Sequence, residues 1–156
     1  MNYKMTHSPL QMKQLIFTKI SVESNENIEN ADEIWAPTYD FDDVIIQTES
    51  ITASKEGEED DPRDYLVRIR VTISNEIEES KASPYDIDIH AQAWFELDPI
   101  YDLGKRESIV SINGSSMVIG AIREMLTQLT ARSIFGPMTL PSLRFQLAEE
   151  DSEDKE

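Results

Sequence analysis

In "YLVRIRVTIS", residues 65 to 74, apolar side chains at Tyr65, Val67, Ile69, Val71 and Ile73 alternate with Arg68, Arg70, Thr72 and Ser74. A period of two sends the two sets to opposite sides of an extended chain, which predicts a strand with one buried and one wet face. "YDIDIHAQAWFEL", 85 to 97, repeats the pattern with Tyr85, Ile87, Ile89, Ala91, Ala93, Phe95 and Leu97 on one side. Asp86, Asp88, His90, Gln92 and Glu96 lie opposite, and Trp94 interrupts that polar face. "QLIFTKISVES" (14 to 24) and "TYDFDDVIIQTE" (38 to 49) are less regular, but their β-branched and aromatic content also predicts strands. The connection between these two is long for a hairpin and is expected to cross an edge or face. The acidic segment 49 to 64 and "NEIEESKASP" are expected to join antiparallel neighbours in a meandering sheet.

After Asp98-Pro99 the period changes. Val118, Ile122, Met125, Leu126 and Leu129 recur at helical spacing, with Met117, Ala121 and Gln128 on a neighbouring stripe. This predicts a helix from Ser115, capped by Asn113, Ser115 or Ser116 and ended by Gly136-Pro137. Its apolar surface exceeds one stripe, so one side is expected to cover the sheet and another to meet a second helix or subunit. The expected fold class is α+β, a four-stranded antiparallel sheet packed with a long C-terminal helix. Beyond the helix, "RSIFGPMTLPSLRF" sets Ile134, Phe135, Met138, Leu140, Leu143 and Phe145 around Pro137 and Pro141. Proline lacks an amide hydrogen and blocks both a helix interior and a central strand, so an irregular apolar ribbon is expected.

A chain of 156 residues fits one domain with its own core, here 10 to 147, between a flexible N-terminus at 1 to 9 and a disordered acidic tail at 148 to 156. With no cysteine there is no disulfide frame or thiolate zinc site. No apolar run is long enough to span a bilayer, so a cytoplasmic protein without membrane insertion is expected. Fourteen Lys and Arg against 31 Asp and Glu give a formal charge of −17, which repels a nucleic-acid backbone. "EEDSEDKE" and "SKEGEEDDPRD" concentrate part of that charge and read as solvated, mobile segments.

Catalytic chemistry has little to stand on. A serine triad would need His7 or His90, and "NGSSM" lacks the spacing of a nucleophile elbow. No phosphate-binding G-x-x-x-x-G-K-S/T loop exists, and "EGEEDD" lacks the ladder of a calcium loop. Asp86, Asp88 and His90 share one strand face, but neighbours two apart diverge, so the solvated face of a sheet is the expectation rather than a metal site. No enzyme activity, cofactor or metal is expected. The unusual set is Trp35, Trp94, Phe135, Met138, Leu140 and Leu143. Each could be ordinary core, yet at the ends of elements they suit a hydrophobic binding surface.

The order of segments resembles the SecB family of protein-export chaperones. "IWAPTYDFD" is similar to its W-x-P motif through Trp35, Pro37, Tyr39, Phe41 and Asp42, and "YLVRIRVTIS" resembles its third strand. Phe95 and Leu97 match the end of its fourth strand, "AIREM" matches its helix signature at Arg123 and Glu124, and "FGPMTLPSLRF" resembles its closing segment with the prolines shifted. The resemblance covers about residues 10 to 145. It departs at "NGSSMVIGA" and at Gln92-Ala93, and the chain after Phe145 is too short for the family's second helix. What it implies is an ATP-independent holdase, assembled as a homotetramer (a dimer of dimers), that binds unfolded or nascent polypeptide. The client groove would be lined by Trp35, Phe135, Met138, Leu140 and Leu143, with Trp94 at its margin. The resemblance also implies docking of the motor SecA through acidic residues. Glu23 fits that role, Glu76 and Glu78 are further candidates, and the matching upstream Asp is missing. General export and service to a dedicated client such as an antitoxin both remain open. The alternative is an acidic interaction protein, a DNA mimic or adaptor, whose binding would collapse with salt.

Overall fold

The structure is a computed structural model that describes residues 1–145; the acidic tail expected at 148 to 156 lies outside the described residues. Four strands, β1 (Leu10–Ser24), β2 (Gln47–Ser54), β3 (Asp64–Ile73) and β4 (Tyr85–Leu97), form one antiparallel sheet in the order β1-β4-β3-β2. Strands β2, β3 and β4 meander, while β1 lies beside β4, so the connection from β1 to β2 crosses the sheet from one edge to the other.

The alternation in β3 and β4 is realised residue by residue: Val67, Ile69, Val71, Ile87, Ile89, Ala91, Ala93 and Phe95 are all buried on the inner face. The irregularity of β1 has a physical cause. Register shifts between Met12 and Gln14 and between Phe17 and Lys19 each insert one extra residue. Each bulge restores the phase, so Met12, Leu15, Phe17, Ile20 and Val22 all stand opposite inward residues of β4.

The second strand does not lie at 38 to 49, where the sequence pattern placed it. Ala36–Thr38 is a 3-10 turn, Asp40 accepts a hydrogen bond from the Asp42 amide, and Asp43 has a left-handed φ of 68°. The strand starts only at Gln47. Proline at 37 and the Asp-rich turn compete with the ladder for backbone groups.

The helix begins twelve residues before its expected start. Helix α1 (Leu103–Ile109) runs through a π-helical turn (Val110–Gly114) into α2 (Ser115–Thr130), with right-handed helical torsions at both junctions. Asn113 and Ser116 are therefore mid-helix and donate to carbonyls one turn back, Ile109 and Ile112. Arg106, Val110, Gly114, Val118, Ile122, Leu126 and Thr130 are buried at strict spacings of four. Such a row drifts about 40° per step around an ideal helix; the wider π turn absorbs part of the drift and sets Gly114 on the sheet. A Cβ at Gly114 would come within 3.1 Å of Val67 and 3.3 Å of Phe95.

The acidic loop between β2 and β3 is tied down rather than loose. Arg106, 5% exposed, donates to Asp61, to the Pro62 and Pro99 carbonyls and to the Tyr101 carbonyl. A buried guanidinium must fill its donors, and it does so by drawing this loop onto the helix start.

Two glycine substitutions check this account in denaturant unfolding. Gly114→Val should cost roughly 1–3 kcal/mol through overpacking against Val67 and Phe95. Gly120→Ala, in the same helix with open space at its Cβ, should add about 0.5–1 kcal/mol.

Candidate functional site

The helix ends at Thr130, six residues before Gly136, and the proline-bearing segment then folds back along it. Thr130 Oγ1 donates to the Leu126 carbonyl and accepts from the Met138 amide. Thr127 Oγ1 donates to the Met138 carbonyl, and Arg123 Nε to that of Leu140. Helix side chains thus replace a ladder partner, and Pro137 and Pro141 need none because they carry no amide hydrogen.

This fold-back inserts Phe135, Met138 and Leu140 completely into the core, each 0% exposed. They are not the open groove wall that the sequence suggested; the burial of their area against sheet and helix outweighs any benefit of exposure. Phe135 packs edge-on against Tyr85 with centroids 5.9 Å apart, and Tyr85 donates its hydroxyl proton to the Gly136 carbonyl at 2.6 Å. Leu143 is half-buried against the same core.

Trp35 is different. The connector that carries it joins the post-helix segment through the Ala36 amide and the Phe135 carbonyl, 2.7 Å apart. Gly136 has φ 79°, and any Cβ there would overlap the Trp35 indole. The indole is thereby held against a bare backbone and stays 52% exposed; Ile134, two residues before Gly136 in the chain, is 63% exposed. The connector is fixed from its other side as well: Tyr39 donates to the Ala82 carbonyl, and Lys81 lies over the Tyr39 ring and donates to the Asp40 carbonyl. Trp35 and Ile134 are thus exposed apolar groups on two segments that are joined at Ala36 and Phe135. Gly136 and Ile134 were legible only as a helix stop and one more ribbon residue; the Gly-Pro pair was the signal available.

Trp94 lies away from Trp35 and Gly136. It projects from the outer sheet face near the far end of β4, while Phe135 and Gly136 meet Tyr85 at its start. Nine residues of strand separate the two ends, roughly 30 Å.

The outer face carries its own order. Asp88 accepts from Arg70, Lys19 and His90. Partial burial pushes its carboxyl upward, but these three donors outweigh that and hold it well below the usual carboxylate range. Asp86 accepts from the amide and side chain of Asn75. Both carboxylates are thus occupied by donors within the chain. Glu23 and Glu76 line an acidic notch with Asp86 and Asp88, whereas Glu78 is exposed outside it. Among the described residues, no cluster of three or more His, Asp or Glu side chains is arranged to hold a metal, and no helix is long and apolar enough to cross a membrane.

The depressed Asp88 carboxyl makes a signed prediction. Its stabilisation is complete above its unfolded value near 4 and is lost as pH falls from there toward the lower folded value. Asp88→Asn should cost about 1–3 kcal/mol at neutral pH, and the gap to the parent should shrink below about pH 4 in unfolding titrations.

No protein-family model matches the sequence, and a search of curated proteins gives no match. Among solved structures the chain is similar to a protein of unknown function from Streptococcus agalactiae, at TM-score 0.53 and 10% identity over 87% of this chain and 97% of that one. It is also similar to the Mycobacterium tuberculosis SecB-like chaperone Rv1957, solved in complex with a ChAD peptide from the Rv1956 HigA1 antitoxin, at TM-score 0.48 and 17% identity over 86% and 87% of the two chains. At 10% identity, the Streptococcus likeness is one of fold.

Proposed function

We propose that this protein is an ATP-independent holdase that binds non-native polypeptide, serving a dedicated client. The observation that carries this reading is the pair of exposed apolar groups Trp35 and Ile134, with Trp35 held on Gly136 by a connector fixed at both ends. Large apolar groups kept at the surface by a rigid backbone mark interaction sites, since monomer surfaces seldom retain them without use. Aromatic anchors supply contact area at low entropic cost and accept varied partners. The SecB-like order of sequence motifs supports the same function, and the missing acidic partner of Glu23 favours a dedicated client over SecA-linked export.

In this proposal Trp35 and Ile134 contact the client and Leu143 borders them. Phe135, Met138 and Leu140 act from beneath as a packed floor. The outward helix stripe, with Met117 and Leu129 about two-fifths exposed, is assigned to contacts between copies in an oligomer. Binding draws on burial of client apolar groups at roughly 25 cal/mol per Å², so it survives moderate salt.

The test is suppression of aggregation of a chemically unfolded substrate without nucleotide. Trp35→Ala with Ile134→Ser should abolish suppression while the melting temperature is nearly kept. Met138→Ser should instead unfold the chain, at a cost of roughly 2–5 kcal/mol. No suppression by the parent protein at several-fold excess would overturn the reading.

A further inference from the structure

The outer face of the sheet is arranged in rows set by strand register. Ala53, Leu66, Trp94 and Gln14 share one row; Ile51, Arg68, Gln92 and Ile16 form the next; Glu49, Arg70, His90 and Lys19 follow. A groove of about 440 Å³ lies over the second and third rows, and one of about 530 Å³ lies over the first. They adjoin on the same face, far along β4 from the Tyr85 end where Trp35 and Gly136 meet.

Within this surface the cations are unequally used. Lys19 and Arg70 pair with Asp88, Arg70 reaches Glu49, and Lys13 reaches Glu96. Among the described residues Arg68 has no carboxylate in ion-pair reach. Its Nε donates to Gln92 Oε1 at 3.0 Å, which orients the guanidinium while its terminal nitrogens have no partner among the described residues. That is unexpected in a chain of net charge −17, where a carboxylate is the commonest neighbour an arginine could find. The fork is flanked by apolar surface on both sides: Ile51, 62% exposed, in its own row, and Leu66 and Trp94 one row away.

We propose that this face is a second binding site, for a partner segment that presents an apolar side chain and a carboxylate about 7 Å apart, the spacing of residues i and i+2 of an extended chain. The carboxylate takes the two free nitrogens of Arg68, a geometry in which arginine binds with both strength and direction. The apolar side chain lies on Trp94, Leu66 and Ala53. Charge complementarity selects the acid: the protein's general negative field repels acidic segments everywhere else, so only one that satisfies Arg68 gains on docking. The site does not rest on the holdase reading and recognises an extended acidic motif rather than unfolded chains at large.

The experiment uses fluorescence anisotropy of a labelled extended heptapeptide carrying Leu and Glu two positions apart, against the same peptide with Gln for Glu. The full chain should bind the Glu peptide about tenfold more tightly than the Gln peptide, with the margin shrinking as salt rises. Arg68→Gln, at an exposed position, should remove the difference, Arg68→Lys should keep part of it, and Trp94→Ala should weaken both peptides. Trp35→Ala should leave the discrimination unchanged, which separates failure here from failure of the holdase reading. Equal binding of the two peptides, no binding, or discrimination that persists in Arg68→Gln would overturn the proposal. So would self-association that is lost in Arg68→Gln, which would make a second copy the occupant.

Discussion

A single helix has to cover one face of a four-stranded sheet, and the contact at Gly114 sets how closely it can do so. Without a Cβ at that position the backbone comes down onto Val67 and Phe95, toward one end of the two central strands. The helix then lies over β3 and β4 and reaches β2 only at the edge. There the inward residues are Thr48, Ser50, Thr52 and Ser54 rather than aliphatic side chains. Ser50 meets Ser115 at 3.0 Å, while the Thr52 hydroxyl is buried with no hydrogen-bond partner among the described residues. A sheet edge of this kind keeps unpaired backbone groups, which is one reason the strand is short and polar.

What the helix cannot reach is closed by irregular chain, and the means of holding that chain is the same throughout. Donors on rigid elements reach carbonyls on segments that have no ladder of their own. Arg123, Thr127 and Thr130 do this for the post-helix segment, Tyr85 for Gly136, and Arg106 for the loops that precede β3 and the helix. Each such group would cost free energy if buried unpaired, so the network fixes position as well as stability. The exposed Trp35 is a product of this order. Its indole rests on a glycine whose carbonyl is pinned by a buried tyrosine.

The two proposed sites accordingly lie on different parts of the molecule. Trp35 and Ile134 stand exposed where fixed loops leave them, and the proposed client binding rests on them. On the outer sheet face, charge is sorted by strand register into an apolar row, a guanidinium row and an acidic notch at the far end. Asp88 takes up Lys19 and Arg70 and also accepts from His90, whereas Arg68 has no carboxylate partner among the described residues.

Much of the architecture was legible in the sequence because its cause is local. A period of two in β3 and β4 needs no partner to be read, and neither does a helical repeat of apolar positions after residue 115. Other features have non-local causes. The bulges that rephase β1 exist only because β4 lies beside it, and the helix extends back to Leu103 because Arg106 finds an acceptor on a loop 45 residues earlier. The apolar ribbon shows the division most plainly. Its sequence fixed that prolines would keep it out of helix and sheet, but not which side chains would face inward. That was decided by Thr127, Thr130 and Arg123, whose hydroxyls and guanidinium turn the segment so that Phe135, Met138 and Leu140 enter the core. Trp35 remains outside because Gly136 offers it a surface and no room beneath.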